Sequence, residues 1–129
     1  STPRSFQVAF APVPRNAEDR VTVPTGYVAE TLFTAGMAVV PGAPSWSGSF
    51  QSSADTERQA GGNHDGMHYF ALPNVNPDQG GLLAINHEFP DFSILMAGSY
   101  NEATATSEQK RIALSAVGVS VIEVRKQAN

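Results

Sequence analysis

All nine prolines of this 129-residue chain fall ahead of Asp91, and most of its eleven glycines share that stretch. Proline removes a backbone donor and fixes φ, while glycine opens turns, so no long helix can form there. What remains is a series of short extended segments separated by turns. The convincing helix therefore lies further on, where Thr106 can cap it and Gln109 can reach back to complete a capping box. Ile112, Ala113, Ala116 and Val117 then form an apolar stripe at helical spacing, and Gly118 supplies the stop. Val119 to Arg125 follows as a strand with β-branched residues on both faces, which predicts burial between layers.

Ahead of the helix, Ser1 to Pro14 reads as an extended arm. Val21 to Phe33 predicts a first strand, rich in β-branched and aromatic residues. Gly36 to Gly62 has loop composition, and so long a loop in a compact domain is expected to be functional or pinned by outside contacts. Gly66 to Leu72 and Gly81 to Phe89 predict two further strands. The turn-like Pro73 to Gly80 between them makes a hairpin. The chain carries no internal repeat and no low-complexity segment.

Hydrophobic residues make up 41% and charged residues 16%, which excludes a disordered chain. The net charge of −4 is spread along the sequence, so there is no basic footprint for nucleic acid and no polybasic membrane anchor. No apolar run reaches the roughly 20 residues of a membrane span. With no cysteine, the chain builds neither a disulfide framework nor a thiolate metal site by itself. A start at Ser1 suggests an exported chain freed of its signal, or a trimmed tag.

Two polar clusters could carry chemistry. One runs Gly61-Gly62-Asn63-His64-Asp65-Gly66-Met67-His68-Tyr69-Phe70, the other Gly80-Gly81-Leu82-Leu83-Ala84-Ile85-Asn86-His87-Glu88-Phe89. Each sets an Asn, a His and an acid at one end of an apolar β segment, which is costly unless the polar end meets water, a partner or a cation. Strand alternation puts Asn86 and Glu88 on one face and His87 on the other; Asn63 and Asp65 also share a parity if extended. Converging oxygen donors suit calcium, and a carboxylate also suits ferric iron. Two plainer readings stand beside this one: Asn63 to Gly66 as a turn bonding its own backbone, and Glu88 as a solvated strand end. Composition and spacing alone specify no enzyme.

These same clusters resemble the start of the PhoX phosphatase family, whose members carry an Asn-x-Asp segment and then a Leu-rich strand ending in Asn-His-Glu and an aromatic. Val23-Pro24-Thr25-Gly26-Tyr27, the loop from Gly36 to Pro44, and Gly118-Val119-Ser120-Val121-Ile122-Glu123-Val124 are similar to family stretches in the same order. The resemblance spans about Val21 to Lys126.

It implies a mainly β chain: the opening segment and about one blade of a β-propeller, with one short α-helix near the carboxyl end. It further implies a phosphomonoesterase that uses calcium and iron(III), is periplasmic or secreted, and takes phosphate monoesters. Glu88 is the first candidate metal ligand, Asn86, Asp65 and Asn63 follow, and His87 and His64 are expected to hold the loops by hydrogen bonds. Members of the family are several times longer, and their cysteine ligand, further acidic ligands and phosphate-binding arginine have no counterpart here. The expectation is therefore an amino-terminal fragment, residues 1–129, without activity of its own, with or without retained metal. It would pair with the rest of the propeller or with itself, because an isolated blade leaves edges uncovered. A self-associating binding module and a family member with other chemistry are the rival readings.

Overall fold

The computed structural model describes residues 10–96 and 100–127. It divides into two units, Ser1–Leu32 and Phe33–Asn129. The first part of the arm expected at Ser1 to Pro14 lies outside the described residues.

In the first unit the strand expected from Val21 onward does not form. The Tyr27 amide donates to the Pro24 carbonyl at 3.0 Å and closes a turn, with Gly26 at φ +89°. Val21, Val28 and Leu32 stay exposed. Strand propensity measures how a side chain fits a half-buried pleated surface, and among the described residues no neighbouring strand supplies that surface. Phe10 instead meets Tyr27 edge to face, ring centres 5.5 Å apart.

The second unit holds a three-stranded antiparallel sheet of β1 (His64–Ala71), β2 (Gly80–His87) and β3 (Gly118–Arg125), in the order β1-β2-β3. The hairpin forms as predicted, its turn fastened where the Gln79 amide donates to the Asn76 carbonyl at 2.8 Å. In its register His64 faces His87, Asp65 faces Asn86, and Met67 faces Ile85. Gly66 is left over as a bulge at φ +37°, a conformation that suits glycine.

The helix α3 (Ser107–Ser115) carries both bonds of the capping box between Thr106 and Gln109. Two single-turn helices, α1 (Ser53–Thr56) and α2 (Phe92–Leu95), were not expected. The segment from Gly36 to Gly62 is more ordered than its loop composition predicts. The Val39 amide donates to Arg58 and the Ala60 amide to Met37, joining the two ends of the segment. Within it, α1 is held by the Glu108 carboxylate of α3, which accepts from the Ser53 amide at 2.7 Å and its hydroxyl at 3.0 Å.

The apolar core is small: Ile85 and Ile112, 1% and 0% exposed, with Ala60, Met96 and Ala116. β3 corrects the expectation of burial between layers. Val119 and Val121 are 65% and 60% exposed, and only Ser120 of this strand is buried. Alternation and register give the outer sheet face Asp65, His68, Phe70, Leu82, Ala84, Asn86, Val119 and Val121. β1 and β3 are both edge strands. Among the described residues no helix is long and apolar enough to cross a membrane.

Candidate functional site

Asp65 and Asn86 meet because of the bulge. In an uninterrupted strand Asp65 and Met67 would share a face, since side chains alternate with a period of two. The extra residue Gly66 shifts the register, so Met67 goes to the side of Ile85 while Asp65 stays opposite Asn86. There the Asn86 Nδ2 donates to Asp65 Oδ1 at 2.6 Å. Asp65 is exposed and Asn86 half-buried, so the pair lies at the accessible end of the hairpin.

Asn63 and Glu88 are tied to each other through the main chain. Asn63 takes the left-handed conformation at φ +50°, which Asn tolerates better than most residues. Its carbonyl accepts from the Glu88 amide at 3.2 Å, and its Nδ2 donates to the Phe89 carbonyl at 3.0 Å. The Asn63 amide nitrogen is thus spent on fixing the turn after β2. Glu88 is exposed just beyond the end of β2.

The histidines belong to the opposite face. His87 is buried, its Nε2 2.7 Å from the Ser120 hydroxyl across the β2–β3 ladder, while its Nδ1 is buried without a partner. Burial first, and the neighbouring His64 second, hold its pKa below the usual histidine value. His64 Nε2 lies 2.9 Å from the Gly61 carbonyl, and the His64 ring stacks on Phe33 with centres 5.4 Å apart. Gly61 is needed here: a side chain at that position would run into the Ala116 carbonyl and the His87 Cβ.

The six candidate residues therefore sort into an oxygen-bearing outer pair, a backbone-linked pair at the strand ends, and an inner histidine pair. In kind, the carboxylates and amide oxygens fit a hard cation. They are not gathered around one point, however: among the described residues no three His, Asp or Glu side chains group closely enough to hold a metal ion.

Sequence reasoning missed Ser120, whose importance depends on a register that spacing does not reveal. It also missed a cavity of about 290 Å³ bordered by Gly36, Trp46, Ala60, Gly62, Asn63 and Ile94. Its signal was Gly36, at φ +78°, where a Cβ would collide with that of Trp46.

The family profile described as Alkaline phosphatase PhoX matches residues 8–129. The chain belongs to the PhoX alkaline phosphatase family. It is also similar to a solved structure, Pseudomonas fluorescens PhoX in complex with vanadate, a transition state analogue, at 31% identity and a TM-score of 0.72. That likeness covers 82% of this chain and 18% of the Pseudomonas fluorescens chain. No curated protein matches. The mainly β fold, an open sheet of three strands, accordingly corresponds to part of a PhoX propeller.

Proposed function

We propose that this chain serves as the opening segment of a metal-dependent phosphomonoester hydrolase, working outside the cytoplasm in the periplasm or as a secreted protein. Asp65 and Asn86 supply oxygen donors from its outer sheet face, Glu88 and Asn63 supply more from the adjoining turn, and calcium and iron(III) are the cations whose hardness suits them. The observation that carries this reading is the 2.6 Å bond between Asn86 and Asp65, which brings two oxygen-bearing side chains of separate strands together at one exposed end. Bound metal would orient the ester, neutralise developing charge and lower the pKa of a coordinated water. The chain's own part is to hold carboxylate and amide oxygens in register, a task for which the hairpin, the Gly66 bulge and the Asn63 turn are suited. His64 and His87 support that register from the inner face.

By itself the chain is inactive in this reading, because its donors are not gathered into a complete cluster. The test is hydrolysis of p-nitrophenyl phosphate by the purified chain with calcium and iron(III), against the same chain supplemented with the remaining segments of a PhoX protein. Turnover by the chain alone refutes the partial-site reading. A second reading, self-association, is favoured by the uncovered outer face, where Phe70, Val119 and Val121 are at least half exposed between two open edges. Light scattering after size exclusion decides it: a strictly monomeric species at high concentration removes this alternative.

A further inference from the structure

We propose that Asp65–Gly66 is a site of spontaneous aspartate isomerisation, a modification that moves the Asp65 carboxylate. It is the only place in the chain where an Asp or Asn precedes a Gly. Glycine carries no side chain to shield its backbone nitrogen, so that nitrogen can approach the preceding carboxyl carbon.

The local structure adds to the sequence. Asp65 and Gly66 are both exposed, near the start of an edge strand. Gly66 has no partner in the β1–β2 register, and at φ +37° a Cβ there would have only the Asn86 Cβ nearby, at 3.6 Å. Strand ends at a bulge open at lower free energy than the body of a sheet, and opening lets the backbone turn into the attacking geometry. The Asn86 Nδ2 donates to Asp65 Oδ1, one of the two oxygens on which charge can build as the carboxyl carbon is attacked.

The chemistry needs no co-reactant but water. The Gly66 nitrogen bonds to Asp65 Cγ, the nitrogen loses its proton, and the carboxyl group loses its hydroxyl as water, leaving a five-membered succinimide. Water then reopens the ring. Attack at Cγ restores aspartate, while attack at the former backbone carbonyl sends the main chain through the β-carboxyl and leaves isoaspartate. The isomer has the same mass, one extra main-chain carbon between residues 65 and 66, and a carboxylate displaced from its place beside Asn86.

The test is to age the intact chain for weeks at physiological temperature and mildly acidic pH. It is then cleaved after Glu57 and Glu88, and isoaspartate is located by electron-transfer fragmentation and by isoaspartyl methyltransferase labelling. The expected result is isoaspartate and a species lighter by one water at Asp65, with Asp78 in the same peptide unchanged. Asp65→Glu, whose ring would be six-membered, should lose the signal. The proposal is overturned if aged Asp65 stays unmodified, if Asp78 isomerises as fast, or if Asp65→Glu retains the label. None of these outcomes depends on metal binding or phosphatase activity, so the proposed function stands or falls separately.

Discussion

The imidazole rings of His64 and His87 face each other with centres 4.8 Å apart, His87 buried and its Nδ1 unpartnered. Burial first, and the neighbouring His64 second, lower the pKa of His87. The folded state then binds fewer protons than the unfolded one at mildly acidic pH. Stability is therefore complete above the ordinary histidine pKa of about 6.5 and declines as pH falls from there towards the folded value. Thermal melts across this range should show a constant Tm above about pH 7 and a falling one below about 6.5. His87→Gln should flatten that slope, even though it lowers Tm overall. A wild-type Tm unchanged through the histidine range would contradict the assignment.

Glu108 gives the opposite kind of titration. Its carboxylate accepts two bonds from Ser53 at the start of α1, and these hold its pKa below the usual carboxylate range. The contribution is present above the unfolded pKa of about 4.3 and is lost as pH falls through the folded one. Glu108→Gln should thus unfold at lower temperature than wild type near neutrality, and the gap should narrow in acid. A gap that stays constant down to strongly acidic pH would show that Glu108 acts by packing rather than by charge.

The extent to which this fold was legible depended on how local each signal was. The α3 capping box needs only Thr106 and Gln109, and β2 announces itself through Leu82 to His87, so both were readable. Val21 to Phe33 had the right residues for a strand but no partner, and propensity does not report partners. Burial of β3 failed for the same reason, since Val119 and Val121 would be covered only by a layer that the described residues do not provide. α1 is a single turn, too short for periodicity to show, and is braced by Glu108 from 55 residues away. At the candidate site, alternation correctly parted Asn86 from His87. The meeting of Asp65 with Asn86 required a register that the Gly66 bulge sets, and that of His87 with Ser120 required the pairing of β2 with β3, which spacing does not reveal.

Ile112 tests how much this small core rests on few residues. It is fully buried in α3. Truncation to alanine removes transfer energy and leaves a cavity, at a cost of about 2–5 kcal/mol. A domain of this size has only about 5–15 kcal/mol to lose. Urea unfolding of Ile112→Ala should therefore show a much lower midpoint or no folded baseline, whereas Leu114→Ala, on the exposed side of the same helix, should change stability by under about 1 kcal/mol. Similar losses for the two would mean that α3 does not bury the face described.

Calcium binding probes the oxygen donors directly. With donors that do not close around one point, affinity should be weak, on the order of 1 mM or poorer, as in the loosest extracellular calcium modules. Proton–nitrogen correlation spectra recorded through a calcium titration should move the amides of residues 63–66 and 86–89 while leaving α3 in place. Asp65→Asn keeps the Asn86 hydrogen bond feasible but removes a charge, so it should weaken the shifts without altering the hairpin pattern. Glu88→Gln isolates the turn contribution in the same way. If both variants respond as wild type does, the carboxylates are solvated strand ends, and the family relationship alone would support a phosphatase role. If Asp65→Asn alone loses the response, the cation sits at the Asp65–Asn86 pair and Glu88 leaves the ligand set.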